Sequence, residues 1–148
     1  MKLLNILFNT ISGQRVESIK PGNTNITIDY LNIEKEKIEF LKEGEAIKIS
    51  FNIKIEYPPH PDSKEKDKKA GEIKFEGTTL LSAEKEEAKE LMKYWKKKEV
   101  PPALKAALFN SLIKRCTPKA IFLQEELNLP FHASIPQLKA QPAKEASK

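Results

Sequence analysis

The sequence predicts an α+β fold: a four-stranded antiparallel sheet followed by C-terminal helices packed on one face. Two patterns support this. The first half of the chain alternates apolar and polar residues with a period of two, and the second half changes to helical spacing. With 148 residues, of which 39% are hydrophobic and 32% charged, the chain suits one folded domain. We expect this domain to span residues 1–139 and to be followed by a disordered polar tail, 140–148.

Four segments have strand character: Leu3–Ser12, Asn25–Ile33, Ala46–Tyr57 and Glu72–Leu81. The third is the clearest, because every second residue from Ile47 to Tyr57 is apolar and the residues between them are polar. A sheet with one packed face and one wet face requires this alternation. Pro58-Pro59 then ends the strand. Gly77 lies inside the fourth strand and predicts a bulge or the close approach of another element.

A first helix is predicted directly after the fourth strand. Ser82 is the expected N-cap, and the glutamates that follow it suit the positive end of the helix dipole. One apolar stripe at helical spacing comprises Ala88, Leu91, Met92 and Trp95. Lysines 96–98 suit the negative end of the dipole, so we expect the helix to end there.

A second helix is predicted over residues 103–116, after Pro101-Pro102. Its apolar residues cover more than half of its circumference, although a helix on one sheet needs only one apolar stripe. The second cover is either a later helix of the chain or another subunit, and we favour the subunit. The predicted oligomer interface comprises Leu104, Leu108, Phe109, Leu112 and Ile113. Thr117-Pro118 either kinks this helix or caps a new one that Leu129-Pro130 ends.

No motif for catalysis, metal binding or cofactor binding stands out. His60 and His132 lie far apart in sequence, and the single cysteine adds no zinc-ligand spacing. Five glycines provide no phosphate-binding loop. The carboxylates alternate with lysines, which is typical of a solvated face rather than of a general acid–base pair. We therefore expect a protein that is not an enzyme and that needs no cofactor.

The lone Cys116 excludes an internal disulfide, which favours a reducing cytoplasm. The apolar N-terminal segment Met1–Phe8 is predicted to be a strand rather than a secretion signal. No apolar run reaches the length that spans a bilayer, so membrane insertion is not expected.

Nucleic-acid binding is an alternative function. The formal net charge is +5, and lysines cluster around residues 64–69 and 93–98. However, the only arginines are Arg15 and Arg115, and arginine is the residue best suited to recognise phosphates and bases. A structural subunit of a larger assembly is a further alternative.

Several segments resemble the SecB family of export chaperones. The opening I-L-F-N-T-I-S-G-Q-R-V-E-S at 6–18 is similar to its first strand, and F-E-G-T-T-L-L-S-A at 75–83 is similar to its fourth. The segment V-P-P-A-L-K-A-A-L-F-N-S-L-I-K-R-C at 100–116 has the place of its long helix. The apolar segment F-H-A-S-I-P-Q-L at 131–138 looks like the extended connection that follows.

The resemblance implies a tetramer, a dimer of dimers with the long helices sandwiched between the dimers. It also implies an ATP-independent chaperone that holds unfolded client polypeptides in apolar surface grooves. Residues suited to line such a groove are Tyr57, Trp95, Phe131, Ile135 and Leu138. The export chaperone is acidic and lacks a helix at 118–129, whereas this chain is basic. The departure favours a role outside docking on the SecA motor, either general holding or protection of an unstable partner such as an antitoxin.

Overall fold

The computed structural model describes residues 1–16, 24–37, 44–59 and 69–133. In chain order the elements are β1 (Lys2–Arg15), β2 (Asn25–Glu36), β3 (Glu45–Tyr57), β4 (Gly71–Ala83), α1 (Lys85–Lys96) and α2 (Pro102–Glu126). The strands form one antiparallel sheet in the order β1-β4-β3-β2. The predicted fold class is therefore confirmed, and each strand extends beyond its predicted bounds by no more than three residues at either end.

The two central strands, β3 and β4, have one dry face and one wet face. The alternate residues of β3 from Ile47 to Tyr57 are at most 2% exposed and lie in the core. On the other face, the Lys69 amine lies 3.0 Å from the carboxylates of both Glu56 and Glu72. These exposed ion pairs each contribute little free energy, but they keep the wet face polar. The alternation in the sequence therefore predicts correctly which residues of β3 face the core and which face solvent.

Gly77 marks a close approach between β4 and β1, as predicted. A Cβ atom on this residue would lie 2.0 Å from the Leu7 carbonyl oxygen and 3.0 Å from the Cα atom of Phe8. Strand β1 has a register shift on each side of this point. Its Phe8 ring packs edge-on against Phe51, with ring centroids 6.0 Å apart. The absent side chain thus lets the edge strand lie close to β4.

The start of α1 differs from the prediction. Ser82 still belongs to β4, and its hydroxyl donates to the Lys2 carbonyl oxygen at 3.5 Å. The N-cap is Glu84, whose backbone N–H donates to the Glu87 side chain at 3.1 Å in a capping box. The strand continues beyond Leu81 because Ala83 still has a pairing partner on β3. The helix ends at Lys96, as the lysine run predicted.

The apolar stripe of α1 packs as predicted against one of two core clusters. Ala88 and Leu91 are fully buried, and Met92 and Trp95 pack against the edge of the same cluster. This cluster joins α1 to the end of the sheet where Ile33 and other apolar residues of the sheet lie. The helix is therefore held to the sheet by one stripe of side chains.

A single helix, α2, occupies the region where the sequence left a kink or a second helix open. Its buried residues recur every fourth position and run past Pro118: Leu104, Leu108, Leu112, Cys116, Ala120 and Gln124. A proline in a helix interior costs about 3 kcal/mol because it removes one backbone hydrogen bond. The buried row on both sides of Pro118 offsets that cost, so the helix predicted separately over 118–129 is instead the second half of α2.

Helix α2 crosses the sheet from the β2 edge to the β1 edge. Near its start, Pro102 borders a groove together with Tyr30 of β2. Near its end, the Arg15 guanidinium of β1 donates to the Leu127 carbonyl oxygen at 3.4 Å. With 25 residues the helix is about 37 Å long, which is enough to pass over all four strands.

We expect Gly77→Ala to destabilise the protein by about 1–3 kcal/mol, because the new Cβ meets the backbone of β1, which cannot rotate away. The measurement is urea unfolding followed by circular dichroism. Gly13→Ala is the matched control, since its Cβ would meet only the mobile end of Leu127 at 2.8 Å. Equal losses in the two variants would contradict the close approach of β1 and β4.

Candidate functional site

Tyr57, which the sequence places in a client groove, lies in the core. It is 1% exposed, and its hydroxyl donates to the Pro130 carbonyl oxygen at 2.7 Å. The same hydroxyl accepts a hydrogen bond from the amide nitrogen of Gln124, also at 2.7 Å. Burial raises the pKa of the Tyr57 hydroxyl. The Tyr57 side chain therefore links the end of α2 to the end of β3 and does not line a surface.

Gln124 also contacts the segment that follows α2. The His132 Nδ1 atom lies 3.0 Å from the amide nitrogen and 3.2 Å from the amide oxygen of Gln124. Burial lowers the pKa of His132, which favours the neutral ring. Beside it, Phe131 is 45% exposed. Ile135 and Leu138 lie outside the described residues, as do His60 and the predicted tail.

Trp95 borders a groove at the other end of α2. This Trp95 groove has a volume of about 480 Å³ and is lined by Ile28, Asp29, Tyr30, Tyr94, Trp95, Lys98, Glu99, Val100, Pro102 and Lys105. Its lining combines aromatic and aliphatic side chains with a few charged ones, as polypeptide and ligand sites do. The Lys98 amine lies 4.7 Å from the centre of the Trp95 ring, close enough for a cation–π contact.

The structure therefore separates the predicted client-binding residues. Tyr57 and Phe131 lie near the C-terminal end of α2, whereas Trp95 lies near its N-terminal end. These ends are about 37 Å apart. They do not form one pocket, and among them only Trp95 lines the groove.

The predicted oligomer interface mixes residues from two sides of α2. Leu104, Leu108 and Leu112 are at most 8% exposed and pack against the sheet inside the subunit. Phe109 is 45% exposed and Ile113 is half-buried, one turn apart on another side of the helix. We call these two residues the outer stripe. Both sets repeat every four residues in the sequence, so their spacing shows two sides of the helix but does not show which side faces the sheet.

Strand β1 carries an apolar surface that sequence reasoning missed. It forms one edge of the sheet, and its exposed apolar residues are Leu3, Leu4, Leu7 and Ile11, with Val16 just beyond. Edge strands present backbone groups that can pair with another chain. The signal was available, because the opening residues are apolar on both faces and do not alternate. The β1 edge is thus a further candidate contact surface.

The lysine clusters differ in their surroundings. Lys69 is in ion pairs with two glutamates, whereas Lys93, Lys96 and Lys97 line an exposed depression beside the Trp95 groove. Tyr94 also lines that depression, and Trp95 follows it in the chain. The sequence signal for this mixed basic and aromatic surface is the run K-Y-W-K-K-K at 93–98.

Within the described ranges, no three histidine, cysteine, aspartate or glutamate side chains come together as a metal site. Cys116 is 2% exposed, and burial raises the pKa of its thiol to about 12. At neutral pH the thiol is protonated and is a core group rather than a nucleophile. No helix in the part of the chain that the structure describes is long and apolar enough to cross a bilayer.

No protein-family model matches the chain, and no curated protein matches it. Among solved structures, the chain is similar in fold to the Mycobacterium tuberculosis SecB-like chaperone Rv1957, which was solved in complex with a ChAD peptide from the HigA1 antitoxin. The two share 14% sequence identity with a TM-score of 0.48. The match covers 96% of this chain and 92% of that chain.

We expect Tyr57→Phe to cost about 1–3 kcal/mol, because it leaves the buried Pro130 carbonyl and Gln124 amide without their shared partner. The measurement is the free energy of unfolding in urea. Tyr94→Phe is the control, since no described residue forms a hydrogen bond with that hydroxyl and the side chain is half-buried. A Tyr57→Phe protein as stable as the control would show that the hydrogen bonds do not tie α2 to β3.

Proposed function

We propose that this protein is an ATP-independent, cytoplasmic holding chaperone that binds unfolded client polypeptides at apolar surface sites. The observation that carries the proposal is the Trp95 groove, a depression of mixed apolar and charged lining that is open to solvent beside an edge strand. Unfolded chains expose apolar side chains and unsatisfied backbone groups together. A groove with aromatic side chains can bury the apolar side chains of an unfolded chain, and the neighbouring strand edge can pair with its backbone. Neither contact requires a particular client sequence.

Exposed apolar residues elsewhere on the subunit support a binding role. Large apolar side chains at least 37% exposed include Leu7, Leu31, Phe109, Phe122 and Phe131. Each of these side chains would remove apolar area from water on contact with another polypeptide. Phe131 provides a second apolar contact at the far end of α2, so an extended client could touch the subunit at more than one point.

We further propose that the active form is a homotetramer, a dimer of dimers in which α2 lies between subunits. The outer stripe of Phe109 and Ile113 supports this assembly, because α2 has already buried its leucines against its own sheet. The exposed alanines at positions 103, 106 and 107 would let another helix approach closely. Of the five interface residues predicted from the sequence, we therefore retain only Phe109 and Ile113 in the proposed interface.

Nucleic-acid binding is the second candidate, and it rests on the lysines beside Tyr94 and Trp95. Basic grooves with aromatic rings bind single strands by charge and base stacking. Salt separates the two functions, because phosphate contacts weaken steeply as salt rises and apolar contacts do not. A structural subunit of a larger assembly would show neither activity.

We expect light scattering to give the mass of a tetramer over a range of protein concentrations. Phe109→Asp with Ile113→Asp should reduce that mass to a dimer or monomer, because two carboxylates would be buried in the interface. Phe122→Asp is the matched control, since Phe122 is 61% exposed on nearly the opposite side of α2 from Phe109. A wild-type monomer at every concentration would exclude the proposed assembly.

We expect the protein to suppress aggregation of a denatured client diluted into buffer, to the same extent with and without ATP and in moderate salt. The readout is turbidity, with an equal mass of an inert protein as the control. Salt-sensitive binding of labelled RNA or DNA without suppression would instead assign the nucleic-acid function. Absence of both activities would leave the structural-subunit alternative.

A further inference from the structure

We propose that the Trp95 groove selects client segments in which an apolar side chain is flanked by acidic residues. The inference deepens the holding function proposed above and rests on it. It assigns a chemical class to the clients: extended peptides with apolar anchors and aspartate or glutamate on either side.

The interior of the groove suits one or two apolar anchors. Ile28 and Tyr30 contribute from β2. Trp95 contributes from the end of α1, Val100 from the connection between the helices, and Pro102 from the start of α2. Tyr30, Trp95 and Val100 are each half-buried, so their exposed parts can gain contacts with a client. At about 25 cal/mol for each Å² removed from water, such contacts bind any apolar side chain and discriminate little. Selection must therefore come from the charged rim.

The excess of positive charge lies in the adjoining depression, because the groove itself has as many carboxylates as lysines. Lys98 and Lys105 line the groove, and Lys93, Lys96 and Lys97 line the adjoining depression. Against these five lysines, the two surfaces include only the carboxylates of Asp29 and Glu99. None of the five lysines forms an ion pair with a described residue.

The end of α1 attracts these lysines but does not neutralise them. The helix dipole places about half a negative charge at its C-terminus, far less than the charge of the lysines around it. All five lysines are exposed, so their attraction for anions acts through solvent and weakens as salt rises. An acidic client segment complements these charges, and a basic one is repelled by them.

The groove fits a peptide better than a nucleic acid. The Lys98 amine already lies over the Trp95 ring, at 4.7 Å, where a base would stack. Asp29 and Glu99 repel a continuous phosphate backbone, whereas a peptide can place neutral residues beside them. Among the described residues β2 pairs only with β3, so its outer edge offers backbone groups to an extended peptide.

The test uses the full-length protein and three fluorescent peptides with one apolar core, flanked by acidic, neutral or basic residues. We expect the acidic peptide to bind about fivefold more tightly than the neutral one, the gain of two exposed ion pairs. The basic peptide should bind most weakly. In about 1 M salt, where charges are screened beyond about 3 Å, the three affinities should converge.

Charge reversal locates the effect. Lys98→Glu with Lys105→Glu should reverse the order of the acidic and basic peptides. Lys85→Glu with Lys114→Glu changes the net charge equally but lies outside the lining of the groove, so it should leave the order unchanged. An acidic preference that survives the groove reversal would overturn the assignment.

The remaining outcomes separate this inference from the proposed function. Equal affinities for all three peptides, with aggregation still suppressed, would retain the holding function and exclude selection of acidic clients. Absence of peptide binding and of suppression would exclude both. A single-stranded oligonucleotide that displaces the acidic peptide and binds more tightly would assign the groove to nucleic acid instead.

Discussion

The structure depends on covering the dry face of the sheet. Strand β3 presents a full row of apolar side chains from Ile47 to Tyr57, and β4 continues the surface through Phe75. Among the described elements, α2 covers most of this face, and α1 covers the end near Ile47. The need for one long cover explains why α2 continues through Pro118. The free energy of burial along the row exceeds the cost of one lost hydrogen bond.

The packing of α2 on the sheet also explains why a glutamine lies in the core. The row of buried positions on α2 ends at Gln124, which is fully buried and requires hydrogen-bond partners. Tyr57 and His132 provide them, and Tyr57 also binds the Pro130 carbonyl. The prediction that Tyr57 lines a client groove came from the family resemblance. Its role as the link between β3 and the segment after α2 depends on contacts 67 and 73 residues apart in sequence.

The sequence was sufficient for the fold class and for the strands, because period-two alternation is a local signal of a half-buried sheet. The sequence was insufficient where one segment fits two local structures equally well. Ser82 is a good N-cap in isolation, but strand pairing extends past it and Glu84 caps the helix. Leu104 and Phe109 are both apolar helix residues, and only the position of the sheet decides that the first is inside and the second outside. The Trp95 groove also needed the fold, since β2 and the helix connection are about 70 residues apart in sequence.

Lysines on the sheet and lysines near the end of α1 have different surroundings, which the net charge does not show. On the wet face of the sheet, lysines pair with glutamates: Lys48 with Glu34, and Lys74 with Glu76. At the end of α1, by contrast, lysines gather around an apolar groove, where Lys98 covers the Trp95 ring. The lysines beside the groove therefore differ from those on the sheet, because none of them forms an ion pair with a described residue. In the function we propose, apolar contact there provides affinity for many polypeptides, and the surrounding lysines sort them by charge.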